Sequence, residues 1–413
     1  MQFKQLHKKK EQFCCARIII KTDDTMLLQA LIYASIPAGT SLLLFATFLF
    51  LLTIPWIQAH VMYLHGIQMT SLDDLDTPVK FGFLYNQVTA FEIQSSSGRP
   101  LYTWHILPVQ LYHLHEQELL EQPAGFTLNP LVRLGIILLR SDRDAQLVIQ
   151  FHGAGGTVAS GYRCSNYRAL LAGLSFFVHV LTFDYRGFGR SAGEPIEKGI
   201  IEDSIAVVHW AIDVARVLPS RIIMFGQSLG TAVNTAVAEH YAMRKSWTIF
   251  GGHILTAPFV DVGTLMSTYR VAGIIPILGP LARFLRLMKY LQSFIIDKWS
   301  TQDRISAYVR NNEVNASGYR ITTIHAKDDR DIPWTHTPLL FRYAVNASVA
   351  TAIKYEKDLR LKERRRADFG HAGSIVEWRS NHGIIRKELL NYGLHDVTMS
   401  SVVVTSAVAR MLQ

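Results

Sequence analysis

The segment Phe225-Gly226-Gln227-Ser228-Leu229-Gly230 sets a serine between two glycines, in the pattern G-x-S-x-G. Residues 221–224 before it, Arg-Ile-Ile-Met, have β character, and residues 229 to about 241 have the spacing of a helix. A strand-to-helix turn this tight forces the flanking positions into collision unless both are glycine, and it lifts the serine hydroxyl clear of the sheet. The helix N-terminus behind it favours negative charge developing on a substrate oxygen. The chemistry open to such a serine is nucleophilic attack on a carbonyl.

Serine alone is a weak nucleophile and needs a base, with an acid to orient that base. With the serine first in the chain, the acid is expected past a later strand and the base near the C-terminus. Residues 321–333, ITTIHAKDDRDIP, supply an apolar strand followed by three aspartates. Asp329 is the expected acid, because it lies one loop's length beyond the strand and four residues before Pro333. Asp328 is the alternative, and Asp331 reads as a solvent-facing turn residue. The expected base is His395, which follows a short strand at 389–392 and precedes a closing helix at 401–412. His371 and His382, each beside a glycine, are its rivals, but neither leads into a terminal helix.

An acyl transfer also needs two N–H groups aimed at the carbonyl oxygen. One is expected from Leu229. The other is expected from the loop His152-Gly153-Ala154-Gly155-Gly156, with Ala154 as the donor. Gly153 would let the backbone approach the substrate, and Tyr162 a little further on is expected to line the pocket.

These residues require a sheet to hold them. Residues 88–94 and 101–107 read as a strand pair joined by a turn, and from residue 146 strands alternate with helices, the pattern of an α/β sheet. The strands are expected at 146–151, 176–183, 222–225, 253–256, 321–324 and 389–392, and the helices at 199–217, 229–241, 339–344 and 401–412. Between residues 258 and 310 the alternation breaks into an unusually apolar insertion, with helical spacing from Leu281 and with Arg283, Arg286 and Lys289 on another stripe. An ordinary packed helix pair and a cap that meets lipid or an acyl chain both fit that pattern.

Upstream, no Asp, Glu, Lys or Arg occurs between Asp24 and Asp73, and residues 38–57 form an apolar run long enough to cross a bilayer. Lacking a small-residue cleavage site, it reads as a retained signal anchor over residues 26–60. Residues 1–25 are basic, which leaves the N-terminus cytoplasmic and the remainder lumenal. A connector at 61–84 would then lead to a catalytic domain at 85–413. The sequons at Asn315 and Asn346 are compatible with a lumenal domain, and Cys14 and Cys15 precede the apolar run, where palmitoylation would be possible. Three cysteines make no disulfide framework, and Cys164 reads as a small packed residue.

The net charge of +9 is dispersed, apart from a run at 354–366 with seven basic and three acidic residues that reads as a solvated face. Nothing here points to nucleic acid, a metal or a cofactor. The expected partners are a lipid ester substrate and the bilayer.

Taken in order, His152-Gly-Ala-Gly-Gly156, Phe183-Asp-Tyr-Arg-Gly-Phe-Gly-Arg-Ser191, Gly226-Gln-Ser-Leu-Gly230, Thr256-Ala-Pro-Phe259 and His325-Ala-Lys-Asp-Asp329, with the N-terminal anchor, give the chain a family likeness. It resembles the membrane-bound α/β-hydrolase-domain serine hydrolases related to lysophosphatidylserine lipase and monoacylglycerol lipase. The resemblance covers roughly residues 85–412. It implies an α/β-hydrolase fold, with a mostly parallel central sheet, helices on both faces and the cap insertion. It further implies Ser228 as nucleophile, Asp329 as acid, His395 as base, a structural role for Asp184-Tyr-Arg-Gly187, lysophospholipid or monoacylglycerol substrates, and the endoplasmic reticulum. Gln227 departs from the histidine found in many relatives. Other readings are a peptidase or thioesterase on this fold and a catalytically silent interaction protein.

Overall fold

In the computed structural model, the described residues are 35–172, 177–244, 248–271, 275–276, 278, 281, 284–349 and 366–412, with positions 26, 29 and 33. The chain forms two compact units, Met1–Gln58 and Ala59–Gln413. In the first, the longest described element is a helix, Ser35–Leu51, in which Thr40 and Ser41 return their hydroxyls to the carbonyls of Ile36 and Pro37. Among the described residues no single helix is long and apolar enough to cross a membrane; Ser35–Leu51 and Pro55–Tyr63 reach that length only as a bent pair. The basic N-terminal segment, Cys14, Cys15 and nearly all of the run at 354–366 lie outside the described residues.

The second unit is built on a ten-stranded sheet in the order β1-β2-β4-β3-β5-β6-β9-β12-β11-β10. The strands are β1 Val88–Gln94, β2 Pro100–Ile106, β3 Gln146–Phe151, β4 Val178–Phe183, β5 Ile222–Gln227 and β6 Gly252–Thr256, then β9 Tyr319–Ala326, β10 Arg366–Asp368, β11 Gly373–Arg379 and β12 Gly383–Leu390. A separate two-residue pair, β7 Arg270–Val271 with β8 Ile275–Pro276, stands in the insertion. The six strands from β4 to β12 are parallel, and antiparallel pairs close both edges. Strands covered on both faces read as continuous apolar runs, which is why β3, β4 and β5 are legible in the sequence. One core layer joins Phe151, Phe183 and Met224 to Val233 and Val237 of the helix Leu229–Ala242. The opposite layer joins Val148, Phe225 and Ile254 to Val404 and Val408 of the closing helix Val402–Met411.

Three sequence expectations change here. The short strand at 389–392 is the tail of the eight-residue β12, which continues into β11 and β10 as an antiparallel meander. The insertion expected to run to 310 ends near Ser300. Helix Thr301–Val314 packs Ile305, Tyr308 and Val309 into a core cluster with Leu255 and Ile321, so it belongs to the layer covering the sheet. The expected connector at 61–84 belongs to the compact unit. Tyr63 and Leu75 are fully buried there, and the carbonyls of Tyr63 and Ile67 accept backbone hydrogen bonds from Gly155 and Gly156.

Candidate active site

β5 delivers Ser228 between its last residue, Gln227, and the helix Leu229–Ala242. Ser228 has φ +53° and ψ −120°, a strained conformation for a residue with a side chain. The turn is held by the Ser228 N–H donating to the Thr256 carbonyl (3.0 Å) and by the Thr231 N–H returning to the Ser228 carbonyl (2.9 Å). A Cβ at Gly226 would lie 2.3 Å from the Gly230 carbonyl oxygen, and one at Gly230 would lie 1.9 Å from that of Phe151. The two glycines are therefore steric requirements of the turn.

β3 delivers the glycine loop beside that serine. A Cβ at Gly153 would stand 2.4 Å from Gln227 Oε1 and 3.3 Å from Ser228 Cβ, so the glycine lets this loop pack closely against the serine turn. Arg163 draws the loop's carbonyls to one side, its Nη2 donating to Gly153 (3.0 Å) and Gly155 (2.6 Å) and its Nη1 to Thr157. The Gly155 and Gly156 N–H groups donate to the carbonyls of Tyr63 (2.7 Å) and Ile67 (2.6 Å). Among the described residues the Ala154 and Leu229 N–H groups have no such partner, and Leu229 directly follows the serine. Tyr185 adds a hydrogen bond from its hydroxyl to the His152 carbonyl (3.0 Å), and Asp184 accepts the Val158 N–H (2.7 Å). Complete burial pushes the Asp184 carboxyl up to about 7. The Asp184-Tyr-Arg-Gly187 motif thus braces the glycine loop from behind, and Arg186 is itself clamped by Asp203 at 2.7 and 2.8 Å.

β9 leads into the expected acid. Asp329 accepts four hydrogen bonds, from the Asp331 and Ile332 N–H groups on Oδ1 (2.8 and 2.9 Å) and from His395 Nδ1 and His325 Nε2 on Oδ2 (2.8 and 3.1 Å). Burial alone would raise its pKa, but the two imidazoles outweigh it and hold the carboxyl well below the ordinary range. An ionised carboxylate only accepts, so His395 Nδ1 carries the proton and Nε2 is left as the basic nitrogen. Burial works against a charged His395, yet its bond to Asp329 and the charges of Asp329, Asp396 and Asp331 raise its pKa. Asp328 faces elsewhere, accepting the N–H groups of Gly393 (3.3 Å) and Leu394 (2.8 Å) and so pinning the turn that presents His395. Gln227 Nε2 donates to Asp396 Oδ1 (3.2 Å), tying the serine turn directly to the histidine turn.

Asp331 is exposed. His371 is exposed in the turn before β11, and His382 lies at the start of β12, at the far end of the sheet from Ser228. Tyr162 is 51% exposed, just before the helix Arg163–Ala172. Asp329, Asp331 and His395 group their ligand atoms within 4.8 Å, the spacing of a metal set. With both Asp329 oxygens each accepting two hydrogen bonds, that carboxylate has little capacity left for a cation. The sequence reading missed Arg163, His325 and the carbonyls of Tyr63 and Ile67. Of these only His325, four residues before Asp329 at a strand end, leaves a visible trace in the sequence.

The profile of the alpha/beta hydrolase family matches residues 147–382. Similar curated proteins include lysophosphatidylserine lipase ABHD12 of Danio rerio, 26% identical over 73% of this chain and 70% of that protein. The same lipase of Gallus gallus is 24% identical, with coverages of 71% and 68%. The human protein ABHD12B is 28% identical over 49% of this chain and 50% of its own length. Among solved structures, an alpha-beta hydrolase from Vibrio vulnificus superimposes with a TM-score of 0.54 at 13% identity, covering 87% of this chain and 94% of that one. On the profile match and the sheet that carries it, the chain belongs to the alpha/beta hydrolase family.

Proposed function

We propose that this chain is a membrane-bound serine hydrolase that cleaves a carboxylic ester of a lysophospholipid or monoacylglycerol. The observation that carries the reading is the Asp329–His395 pair at 2.8 Å, linked through Gln227–Asp396 to a serine at φ +53°. His395 Nε2 takes the proton of Ser228 as Oγ attacks the ester carbonyl. The oxyanion is met by the N–H groups of Leu229 and Ala154. The protonated His395 gives its proton to the leaving alcohol, and a water activated by the same nitrogen releases the fatty acid and regenerates Ser228.

A lipid substrate is supported by the insertion, where Phe284, Leu287 and Tyr290 are exposed beside Arg286 and Lys289. It is further supported by the similarity to proteins named lysophosphatidylserine lipase. Anchoring through the apolar N-terminal run, with the catalytic domain in the lumen of the endoplasmic reticulum, is part of the same proposal. Asn346 is exposed and gives it a handle.

Membranes containing the full chain, offered lysophosphatidylserine, other lysophospholipids, monoacylglycerol, an acyl thioester and an aminoacyl amide, should release fatty acid fastest from a lipid ester. Preferential cleavage of the amide or thioester would overturn the substrate assignment. An endoglycosidase-sensitive mass shift, lost in Asn346→Gln or Asn315→Gln, is expected for a lumenal domain.

A further inference from the structure

The triad acid carries a second imidazole. His325, on β9 and fully buried, sets Nε2 3.1 Å from Asp329 Oδ2 and 3.0 Å from the Ile332 carbonyl oxygen. Two acceptors facing one nitrogen require that nitrogen to bear the proton. Nδ1 lies 2.7 Å from Thr337 Oγ1, whose hydroxyl donates to it and fixes the same tautomer. Asp329 Oδ2 is therefore held between two ring N–H donors, His395 on the substrate side and His325 beneath.

We propose that His325 is a positioning residue, a buried imidazole that locks the Asp329 carboxylate in the rotamer receiving His395 and shares the oxygen on which His395 depends. This rests on the reading of Ser228, Asp329 and His395 as the reacting triad. Without His325, Oδ2 loses one of its two donors, the carboxylate is held by three hydrogen bonds in place of four, and its undivided charge acts on His395. Both changes reach the reaction only through Asp329. Among the described residues, Asp329 and His336, on helix His336–Ala347, act electrostatically on His325, while Asp331 and His395 act on Asp329. His336 is buried, and its Nδ1 accepts the Val260 N–H, so it stays neutral across the working range.

The test compares wild type, His325→Phe and His325→Gln as full-length chains in membranes, with p-nitrophenyl butyrate as substrate and the thermal midpoint as a control for folding. Phe keeps a ring without the donor; Gln places an amide N–H where Nε2 stood. The expected result for Phe is a fall in kcat of about 10- to 100-fold, the scale of a lost hydrogen bond to a charged group, with KM little changed. The acid limb of kcat/KM should move up by roughly half a pH unit or more, since a carboxylate with one donor fewer favours the imidazolium more strongly. Gln should restore both to near wild type. A folded Phe variant with unchanged kcat and acid limb would overturn the proposal, and so would a folded Gln variant no better than Phe. If Phe does not fold, Gln is judged against wild type alone, and a tenfold loss in a folded Gln chain contradicts the proposal. A wild-type chain that hydrolyses nothing would instead defeat the triad reading beneath it.

Discussion

The two ends of the same strands are built differently. At the C-terminal ends of β3, β5 and β9 stand the glycine loop, Ser228 and Asp329, where the loop's carbonyls, the serine turn and the Asp329 carboxylate are each tied down by hydrogen bonds. At the N-terminal ends of β5, β6, β9 and β12 lies a cleft of about 590 Å³, lined in part by Ser220, Tyr319, Arg320, Arg379 and His382. It is roomy and polar, yet its guanidiniums are already engaged. Arg320 donates to the carbonyls of Arg410 and Met411, and Arg379 pairs with Glu377. Volume does not locate the chemistry. In the proposed reading a strained turn, the unpaired N–H groups of Ala154 and Leu229 and a base oriented by an acid do, and in sheets of this kind such groups gather outside the carboxyl ends of the strands.

The largest expected effect lies at the C-terminal end. Ser228→Ala should reduce ester turnover by about a millionfold, the scale seen when a triad nucleophile is removed. Asp329→Asn should cost about 10⁴-fold by disturbing the His395 tautomer, whereas Asp328→Asn, which keeps an acceptor for the Leu394 N–H, should cost about tenfold or less. Equal losses from the two would mean that the acid has been misassigned. A pH series on wild type gives a smaller, signed effect. His395 must be neutral to accept the serine proton, and its neighbours raise its pKa, so kcat/KM should fall with acid through a value above the ordinary 6.5. An acid limb below that value would contradict the Asp329–His395 geometry. Smallest of all, Arg320→Ala or Arg379→Ala in the opposite cleft should change turnover by less than about twofold; a large loss there would erase the contrast between the two ends.

What the sequence disclosed follows the same division. The strand–turn–helix around Ser228 is legible because Gly226 and Gly230 are fixed by steric contact and β5 is apolar from Ile222 to Phe225. Spacing alone could rank Asp329 over Asp328 but not separate their tasks. That depends on which carboxylate meets the N–H groups of Asp331 and Ile332 and which meets those of Gly393 and Leu394. The β10–β12 meander escaped notice because β11 is half-buried along most of its length and shows no clean two-residue alternation. Residues 61–84 looked like a connector because their link to the glycine loop runs through main-chain carbonyls of Tyr63, Ile67 and Gln68, which carry no side-chain signature.

The central claim is that Ser228 is an activated nucleophile, and a fluorophosphonate probe tests it most directly. Applied to membranes holding the full-length chain, the probe should label wild type covalently, with the adduct mapping to Ser228 and vanishing in Ser228→Ala. Undiminished labelling of the Ser228→Ala chain, or no labelling of a folded wild type, would contradict the account.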